Sequence, residues 1–587
     1  VRLSVVIPTY NRREVLSRVL QTVFQQTCPP EAYEVIVVAD GSTDGTAEML
    51  RQLHPPCKFL VLEQPNRGQA AARNAGARAA SGDLILFLDD DMLCAPDLVA
   101  EHIAAHSSGD RQVVFGPVHV APESPATLAT RRLRLEAEGW SKRLRREGAT
   151  FPTDAVVGAN SSVWRSTFLE LGGFDEGFFR AREDVELGLR FWQAGIHFRF
   201  HEAAVAHQIY TKSNRDLALG DGTAYGKNEV ALYRKHPQLR RYSEFAHFSE
   251  DPWEKRLARE LAVRTRVPID LSAAAACWFI ERFPRNNRLV RIGLRLLAVR
   301  RNIAMLHSAV GEAGGWKAFK REFGVLAPML LYHNVGPFRP GTAPSLTISP
   351  ERFEQQMRWL KLRGYTGIRC ADWLSWLRGE CVLPEKPVVL TFDDAYADLA
   401  EFALPILKKY GFSGTVFVVA DEVGGTNSWD EREGSATLHC MTAEQMREWA
   451  AVGFEFGAHS CTHPDLRTLD LVELAKEIEG SARRLSSLLG ARVRSFAYPY
   501  GDYSDAVKKC VEETFDLAPT CVEGLNGLGT DPCLLRRPMV CPKDTMLDFA
   551  FYVTLGFSPL NRLRLWRQRF RSFRRSLSPF RTAELSR

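Results

Sequence analysis

Four short apolar runs punctuate the first part of the chain: VRLSVVIP, YEVIVVAD, CKFLVLEQ and GDLILFLDD. Each is too short for a helix and ends in turn-forming or acidic residues. The segments between them, such as REVLSRVLQTVFQQ, repeat apolar residues at helical spacing. Apolar strands alternating with amphipathic helices predict an α/β domain with a mainly parallel sheet. From about Asp221 to Leu326 the strand rhythm stops and the pattern is helical. It resumes at PMLLYHNV and continues to about Val540. Near the end, Leu563, Trp566, Phe570, Phe573 and Leu577 recur at spacings of three and four, one face of a helix with arginines elsewhere. The expected division is an α/β domain over 1–220, a helical basic connector over 221–326, a second α/β domain over 327–545 and a basic amphipathic tail over 546–587.

Composition narrows the class. A chain of 587 residues exceeds one hydrophobic core, and 45% hydrophobic with 25% charged residues is ordinary for soluble globular domains. The net charge of +6 is too mild to imply nucleic acid, but Arg282–Arg301 holds seven arginines and no acid. Apolar residues opposite arginines at helical spacing describe an interfacial helix, so peripheral contact with a membrane surface is expected and nucleic-acid binding is not. The 12 cysteines include no CxxC pair, which favours reduced thiols in a cytoplasmic setting. No secretory signal is expected from the opening VRLSVVIPTYNRR. The longest apolar run, LSAAAACWFI, is half of the roughly 20 residues that cross a bilayer.

In parallel α/β sheets, ligands collect at the C-terminal strand ends, where Asp40 and the triplet Asp89–Asp91 fall. A compact acidic cluster there suits Mg²⁺ or Mn²⁺, which bind through a few carboxylates and substrate phosphates. The ordered segments VVIPTYNRREVL, VVADGSTDGT, NRGQAAARNAG, LFLDDDM, GANSSVWR, LGGFDEGF and REDVELGLR together resemble the inverting family 2 glycosyltransferases, whose fold is of the GT-A type. The resemblance covers roughly Leu3 to Tyr210. It implies that Pro8, Thr9 and Asp40 hold the nucleoside of a nucleotide-diphosphate sugar, UDP-linked by preference, and Arg73 the diphosphate. Asp89 and Asp91 form the DxD element on ribose and metal, and His207 adds a further metal ligand. Asp184 is the implied general base, and Glu183 beside it orients acceptor or base. One departure is Ala39, which stands where the family often carries a second acid before Asp40.

The second block carries a different constellation. His459 and His463 in HSCTHPDL stand four apart, a spacing that puts both imidazoles on one helical face toward one metal. With TFDD at a strand end, two imidazoles and a carboxylate make a three-ligand site that can bind and acidify a water, and a neighbouring carboxylate can act as base. LTFDDAYADL, EFALPILKKYGFSGTVFV, MTAEQMREWAAVGFEFGAHSCTHPDL and FAYPYGDYS resemble the polysaccharide deacetylases of carbohydrate esterase family 4, with a distorted (β/α) barrel. The resemblance implies Asp393 as base, Asp394, His459 and His463 on Zn²⁺ or another divalent transition metal, and the backbone N–H of Tyr500 on the oxyanion. Ala497 stands where many members have arginine, and no histidine follows His463. Both departures resemble the permuted poly-N-acetylglucosamine deacetylase clade, which points to His333 in PMLLYHNV as the general acid. Arg536 or Arg537 is the candidate to replace the missing arginine beside Asp393.

These features predict a bifunctional enzyme. One domain transfers a sugar, N-acetylhexosamine by preference, to a glycan or lipid-linked acceptor with inversion. The other hydrolyses an N-acetyl group. The alternatives are a silent deacetylase-like binding module, or a second domain that cleaves a non-sugar amide.

Overall fold

The computed structural model describes residues 2–148, 157–178, 181–248, 250, 253–339, 346–431, 436–564 and 566. Two compact units form. The first is Val1–Lys235 with Leu257–Phe319, and the second is His236–Arg256 with Lys320–Arg587. Of the tail residues Leu563, Trp566, Phe570, Phe573 and Leu577, the first two are exposed and the other three lie outside the described residues.

In the first unit the strands are β1 (Leu3–Thr9), β2 (Tyr33–Asp40), β3 (Lys58–Gln64), β4 (Leu84–Leu88), β5 (Met92–Cys94), β6 (Gln112–Phe115), β7 (Val118–Val120), β8 (Asn160–Trp164), β9 (His197–Phe200) and β10 (Ala206–Gln208). Seven make one sheet in the order β3-β2-β1-β4-β8-β6-β9. Its first four strands are mutually parallel, and β8 runs antiparallel to both neighbours. Along β1 the pleat sends alternate side chains to opposite faces. Leu3, Val5 and Ile7 join Leu16, Val19 and Val23 in one core, and Val6 joins Ala70, Ala72 and Ala77 in another. Helix Gln69–Ala79 approaches β1 so closely that a Cβ on Gly76 would sit 2.4 Å from the Val6 side chain. A small sheet, β5-β10-β7, flanks the strand ends. This parity and order put Asp40 and Asp89–Asp91 at one edge.

A buried polar cluster braces this unit. On helix Leu98–Ala105, His102 Nδ1 lies 2.8 Å from Ser162 Oγ, and Nε2 of His106, the residue that caps the helix, lies 2.9 Å from the same oxygen. Burial pushes both imidazoles down from 6.5 to about 4. The unfolded chain then binds their protons more readily, so stability rises with pH between the two values. The contribution is complete above pH 6.5 and is lost as pH falls toward 4, about 3 kcal/mol for each ring. Calorimetric unfolding of the full chain across that window should show the N-terminal transition falling with acid, and His102→Gln should flatten the slope.

The second unit contains β11 (Met329–Tyr332), β12 (Asn334–Val335), β13 (Thr347–Ile348), β14 (Thr366–Ile368), β15 (Pro387–Phe392), β16 (Thr415–Val418) and β17 (Glu455–Ala458). β11-β15-β16-β17 are hydrogen-bonded in that order and all parallel, with β14 also on β15. Single parallel bridges then carry the circle round. They pair Ala458 with Phe496, Ser495 with Leu517, Pro519 with Leu535, and Met539 back with Leu331 of β11. The barrel is distorted because that arc is closed by isolated bridges where full strands would otherwise stand. Helix Met546–Leu555 adds Phe549, Tyr552 and Val553 to the core.

Candidate functional sites

The first unit opens a cleft of about 340 Å³ at the C-terminal ends of β1, β2 and β4, lined by Pro8, Thr9, Asp40 and Asp89–Asp91. Thr9 Oγ1 donates to Asp90 at 2.8 Å. Asp40 accepts from Gln64 Nε2 and from the backbone N–H groups of Arg67 and Gly68, at 2.7, 2.9 and 2.8 Å. It therefore shapes the loop that enters helix Gln69–Ala79. Burial drives Asp90 up to about 7 against the pull of Arg12. Burial, then Asp89, also raises Asp91. Three adjacent carboxylates, two of them starved of water, form an all-oxygen donor set that fits a hard divalent cation.

Two expected residues stand elsewhere. Arg73 was assigned to the diphosphate, yet it is only 2% exposed and does not line the cleft. Its guanidinium donates to Asp89 at 2.7 Å and to Glu183 at 3.1 Å, while its Nε is buried without a hydrogen-bond partner. The cations that do line the cleft are Arg12, which bridges Asp90 and Asp91 at 3.2 and 2.7 Å, and Lys212. His207 was assigned to the metal, but strand alternation turns it away. Its ring lies 5.7 Å from that of His119, and the next residue, Gln208, reaches Asp91 with its amide at 3.3 Å. Neither Arg12 nor Gln208 was found from the sequence. An arginine three positions beyond a strand-end threonine, opposite an acidic triplet, was the available signal.

Glu183 and Asp184 open helix Glu183–Gln193. Glu183 is buried, and burial followed by the Asp184 charge lifts it to about 7 despite Arg73. Asp184 is more open, and one of its oxygens accepts from the N–H of Val185 at 2.8 Å. Arg73 thus ties the strand-end acid Asp89 to the helix start that carries Asp184.

In the second unit Asp393 and Asp394 follow β15 directly, and the chain bends there with φ of 71° at Asp394 and 49° at Ala395. The histidine pair corrects an expectation. His459 and His463 do not lie on a helix, because they follow β17 in a loop with φ of 63° at Ser460 and 58° at His463. The loop still converges both rings: each Nε2 lies 3.7 Å from Asp394 Oδ1. His459 Nδ1 lies 2.8 Å from the Ala497 carbonyl oxygen, which can only accept, so Nδ1 carries the hydrogen and Nε2 presents its lone pair. Asp394 Oδ1 is buried with no hydrogen-bond partner. Burial, then the charges of Asp393 and Asp430, raise Asp394 well above its usual range, and burial pulls both histidines down. An orphaned carboxylate oxygen facing the Nε2 atoms of two imidazoles fits a divalent metal. Glu512, Asp531 and Cys533 also cluster within 4.8 Å, but there the Lys508 ammonium meets both carboxylates, at 2.8 and 2.9 Å.

Asp393 stands beside this triad on Arg537. The guanidinium is fully buried and grips both carboxylate oxygens, at 2.6 and 2.7 Å. Burial alone would raise Asp393, but Arg537, His459 and His333 outweigh it and hold the group below its ordinary value. His333 follows β11, and burial pushes it down to about 4. Tyr500 holds φ at 60°, and its ring centroid lies 4.7 Å from that of His463. On another side Trp429 stacks on His463 at 5.1 Å, and Tyr396 donates to the neighbouring Asp430 at 3.1 Å. The sequence reading missed Trp429 and Asp430. Among the described residues, eight non-glycine positions have positive φ, and Asp394, Ala395, Ser460, His463 and Tyr500 are five of them. Strain is concentrated at this site.

Comparison with known proteins assigns both units. Residues 4–169 match the profile of Glycosyl transferase family 2, and residues 382–515 match that of Polysaccharide deacetylase. The chain is similar to the uncharacterized glycosyltransferase YfnE of Bacillus subtilis, at 33% identity over 36% of this chain and 66% of that protein. It is also similar to Bacillus subtilis YxkH, whose name assigns it provisionally to the polysaccharide deacetylases, at 27% identity over 41% of this chain and 80% of that one. Among solved structures, the Streptococcus pyogenes deacetylase PplD in complex with acetate is 29% identical, with a TM-score of 0.33 over 37% of this chain and 94% of that chain. The chain carries a family 2 glycosyl transferase domain N-terminally and a polysaccharide deacetylase domain C-terminally.

Proposed function

We propose that both domains are catalytic: the first transfers an N-acetylhexosamine from a nucleotide diphosphate, UDP by preference, and the second removes an acetyl group from an amino sugar. The observation that carries the reading is the intact apparatus around Asp393, where an arginine-held carboxylate adjoins an Asp–His–His triad with an orphaned oxygen. A silent binding module would have no need of so strained and desolvated a cluster.

In the transferase, Asp184 takes the proton of the acceptor hydroxyl as its oxygen attacks the sugar C1 from the face opposite the diphosphate. The bond from C1 to the diphosphate oxygen breaks, and inversion follows. Pro8, Thr9 and Asp40 frame the nucleoside, Asp89 and Asp91 would hold Mg²⁺ or Mn²⁺, and Arg12 and Lys212, the cations that line the cleft, meet the diphosphate charge in the place first assigned to Arg73. In the deacetylase, Asp394, His459 and His463 would hold Zn²⁺ or a similar ion, which supplies Lewis acidity. Asp393, kept ionised by Arg537, takes a proton from the attacking water. The Tyr500 N–H faces the developing oxyanion. The proton that Asp393 took is returned through His333 to the nitrogen as the C–N bond breaks, so that acetate and a free amino sugar depart.

Joining the two sites raises the effective concentration of acetylated product at the second. The acceptor is a glycan or a lipid-linked saccharide at the cytoplasmic face of a membrane, which the protein meets peripherally. No helix among the described residues is long and apolar enough to cross a bilayer.

The test incubates the full chain with UDP- and GDP-sugars plus Mn²⁺, and separately with N-acetylglucosamine oligomers. Nucleoside diphosphate should appear with one donor, and acetate should appear from the oligomer. Chelation should stop acetate release and Zn²⁺ should restore it. Failure of any N-acetylated glycan to yield acetate would favour a binding module, and release from a non-sugar amide alone would reassign the second substrate.

A further inference from the structure

Helix Arg266–Ile280 is apolar on more than one side. Its sequence, RVPIDLSAAAACWFI, holds only Arg266 and Asp270 as charges, and Asp270 is turned to the buried Arg300 at 2.7 Å. One face is packed: Ala273, Cys277 and Ile280 are buried, the last two in a core with Leu128, Tyr210 and Leu297. The other face is bare. Val267, Leu271 and Trp278, at helical positions i, i+4 and i+11, are 66%, 64% and 61% exposed, and Phe279 and Phe283 stand exposed beside them. A helix apolar on all sides is normally buried or in a membrane. At 15 residues this one is too short to span.

Charge surrounds the bare face. Arg282, Arg285, Arg288, Arg291 and Arg295 run from the end of this helix into helix Asn287–Glu312, and all five are exposed. Among the described residues no carboxylate pairs with any of them. Arg288, Arg291 and Arg295 share one face, with Ile292 and Val299 exposed alongside. Arg282 stacks its guanidinium on Trp278. An apolar stripe carrying tryptophan and phenylalanine, bordered by unpaired arginines, is complementary to a surface that is anionic above and hydrocarbon below. A second copy of the chain is a poor occupant, because it would bring ten unpaired arginines together.

We infer that the hairpin of helices Arg266–Ile280 and Asn287–Glu312 docks on an anionic lipid surface, with Leu271, Trp278, Phe279 and Phe283 entering the headgroup region and Arg282–Arg295 on lipid phosphates. The inference rests on the peripheral membrane reading above and assigns it to this hairpin. The competing location is the terminal arginine-rich segment.

Flotation of the full chain with phosphatidylcholine vesicles, with and without phosphatidylglycerol, tests it. Wild-type protein should float with the anionic vesicles and be released by salt. The triple variant Arg288→Gln, Arg291→Gln, Arg295→Gln should bind about a hundredfold more weakly. Leu271→Gln with Trp278→Gln should lose at least tenfold. All five side chains are exposed, so unfolding midpoints should hold, and a variant with a lowered midpoint would be replaced by Leu271→Ser alone. Variants that float like the wild type would overturn the inference and move the contact to the terminal segment. A wild type that binds no anionic vesicle would remove the membrane reading itself. A concentration-dependent dimer abolished by Leu271→Gln and Trp278→Gln, with flotation unchanged, would give the face to a second copy and overturn the inference too.

Discussion

Replacing Asp393 by asparagine is expected to lower acetate release about a thousandfold or more while leaving sugar transfer and bound metal unchanged. The carboxylate adjoins the Asp394–His459–His463 triad and is held rigidly by two hydrogen bonds from Arg537, at 2.6 and 2.7 Å. An asparagine keeps the shape but cannot take a proton. It also leaves the fully buried guanidinium without its counter-charge, a loss on the order of 3–5 kcal/mol for a buried pair broken on one side. The variant should therefore lower the C-terminal unfolding transition as well. Metal content separates this from collapse of the site: zinc retained with acetate release lost marks a base, and zinc lost with it marks a ligand. The pair has a pH signature too. Because Asp393 is held below its ordinary 3.8, its stabilising effect is complete above that value and is lost as pH falls through the lower folded value.

The two acidic strand ends were legible in the sequence for a simple reason. An apolar run buried on both faces must stop where solvent or a ligand begins, and in a parallel sheet that point is where sites collect. LILFLDDD and VVLTFDD both obey this, so Asp89–Asp91 and Asp393–Asp394 fell where expected. What failed was information carried by one-residue parity and by backbone sign. AVAHQIY does not reveal whether His207 or Gln208 faces the acids, and strand alternation chose Gln208. LLRRPMV left two arginines open, and the bridge geometry around Leu535 and Met539 turned Arg537 inward. The spacing of His459 and His463 correctly brought them together, but by the wrong local structure. Left-handed turns at Ser460 and His463 are invisible in residue types that rarely adopt them. Trp429 and Asp430 come from a segment between strands, with no periodicity to place it against His463.

Arg73→Met is expected to destabilise the N-terminal unit by about 3–5 kcal/mol, more than any surface change in that domain. Among the described residues its guanidinium is the one cation paired with both Asp89 and Glu183, and Glu183 is itself buried at 5% exposure. Removing it leaves the buried Glu183 carboxylate beside Asp89 with no counter-charge. Burial already shifts Glu183 toward its neutral form, so Glu183→Gln alone should cost little, and adding it to Arg73→Met should recover a large part of the loss. That recovery is the discriminating outcome. A residue that binds the donor's diphosphate would behave in the opposite way: Arg73→Met would raise the KM for the nucleotide sugar, leave the unfolding temperature intact and gain nothing from the second substitution. The ion-pair chain also predicts where catalysis suffers. With Asp89 in the proposed cation site and Glu183 next to the proposed base Asp184, loosening their shared clamp would displace both ends of the reacting assembly. Sugar transfer should fall on the order of a hundredfold in kcat, with a smaller change in KM, because misplaced groups are felt in the transition state more than in binding. Arg73→Lys sharpens the contrast, since a single ammonium cannot reproduce the two-pronged contact and should restore charge without restoring geometry.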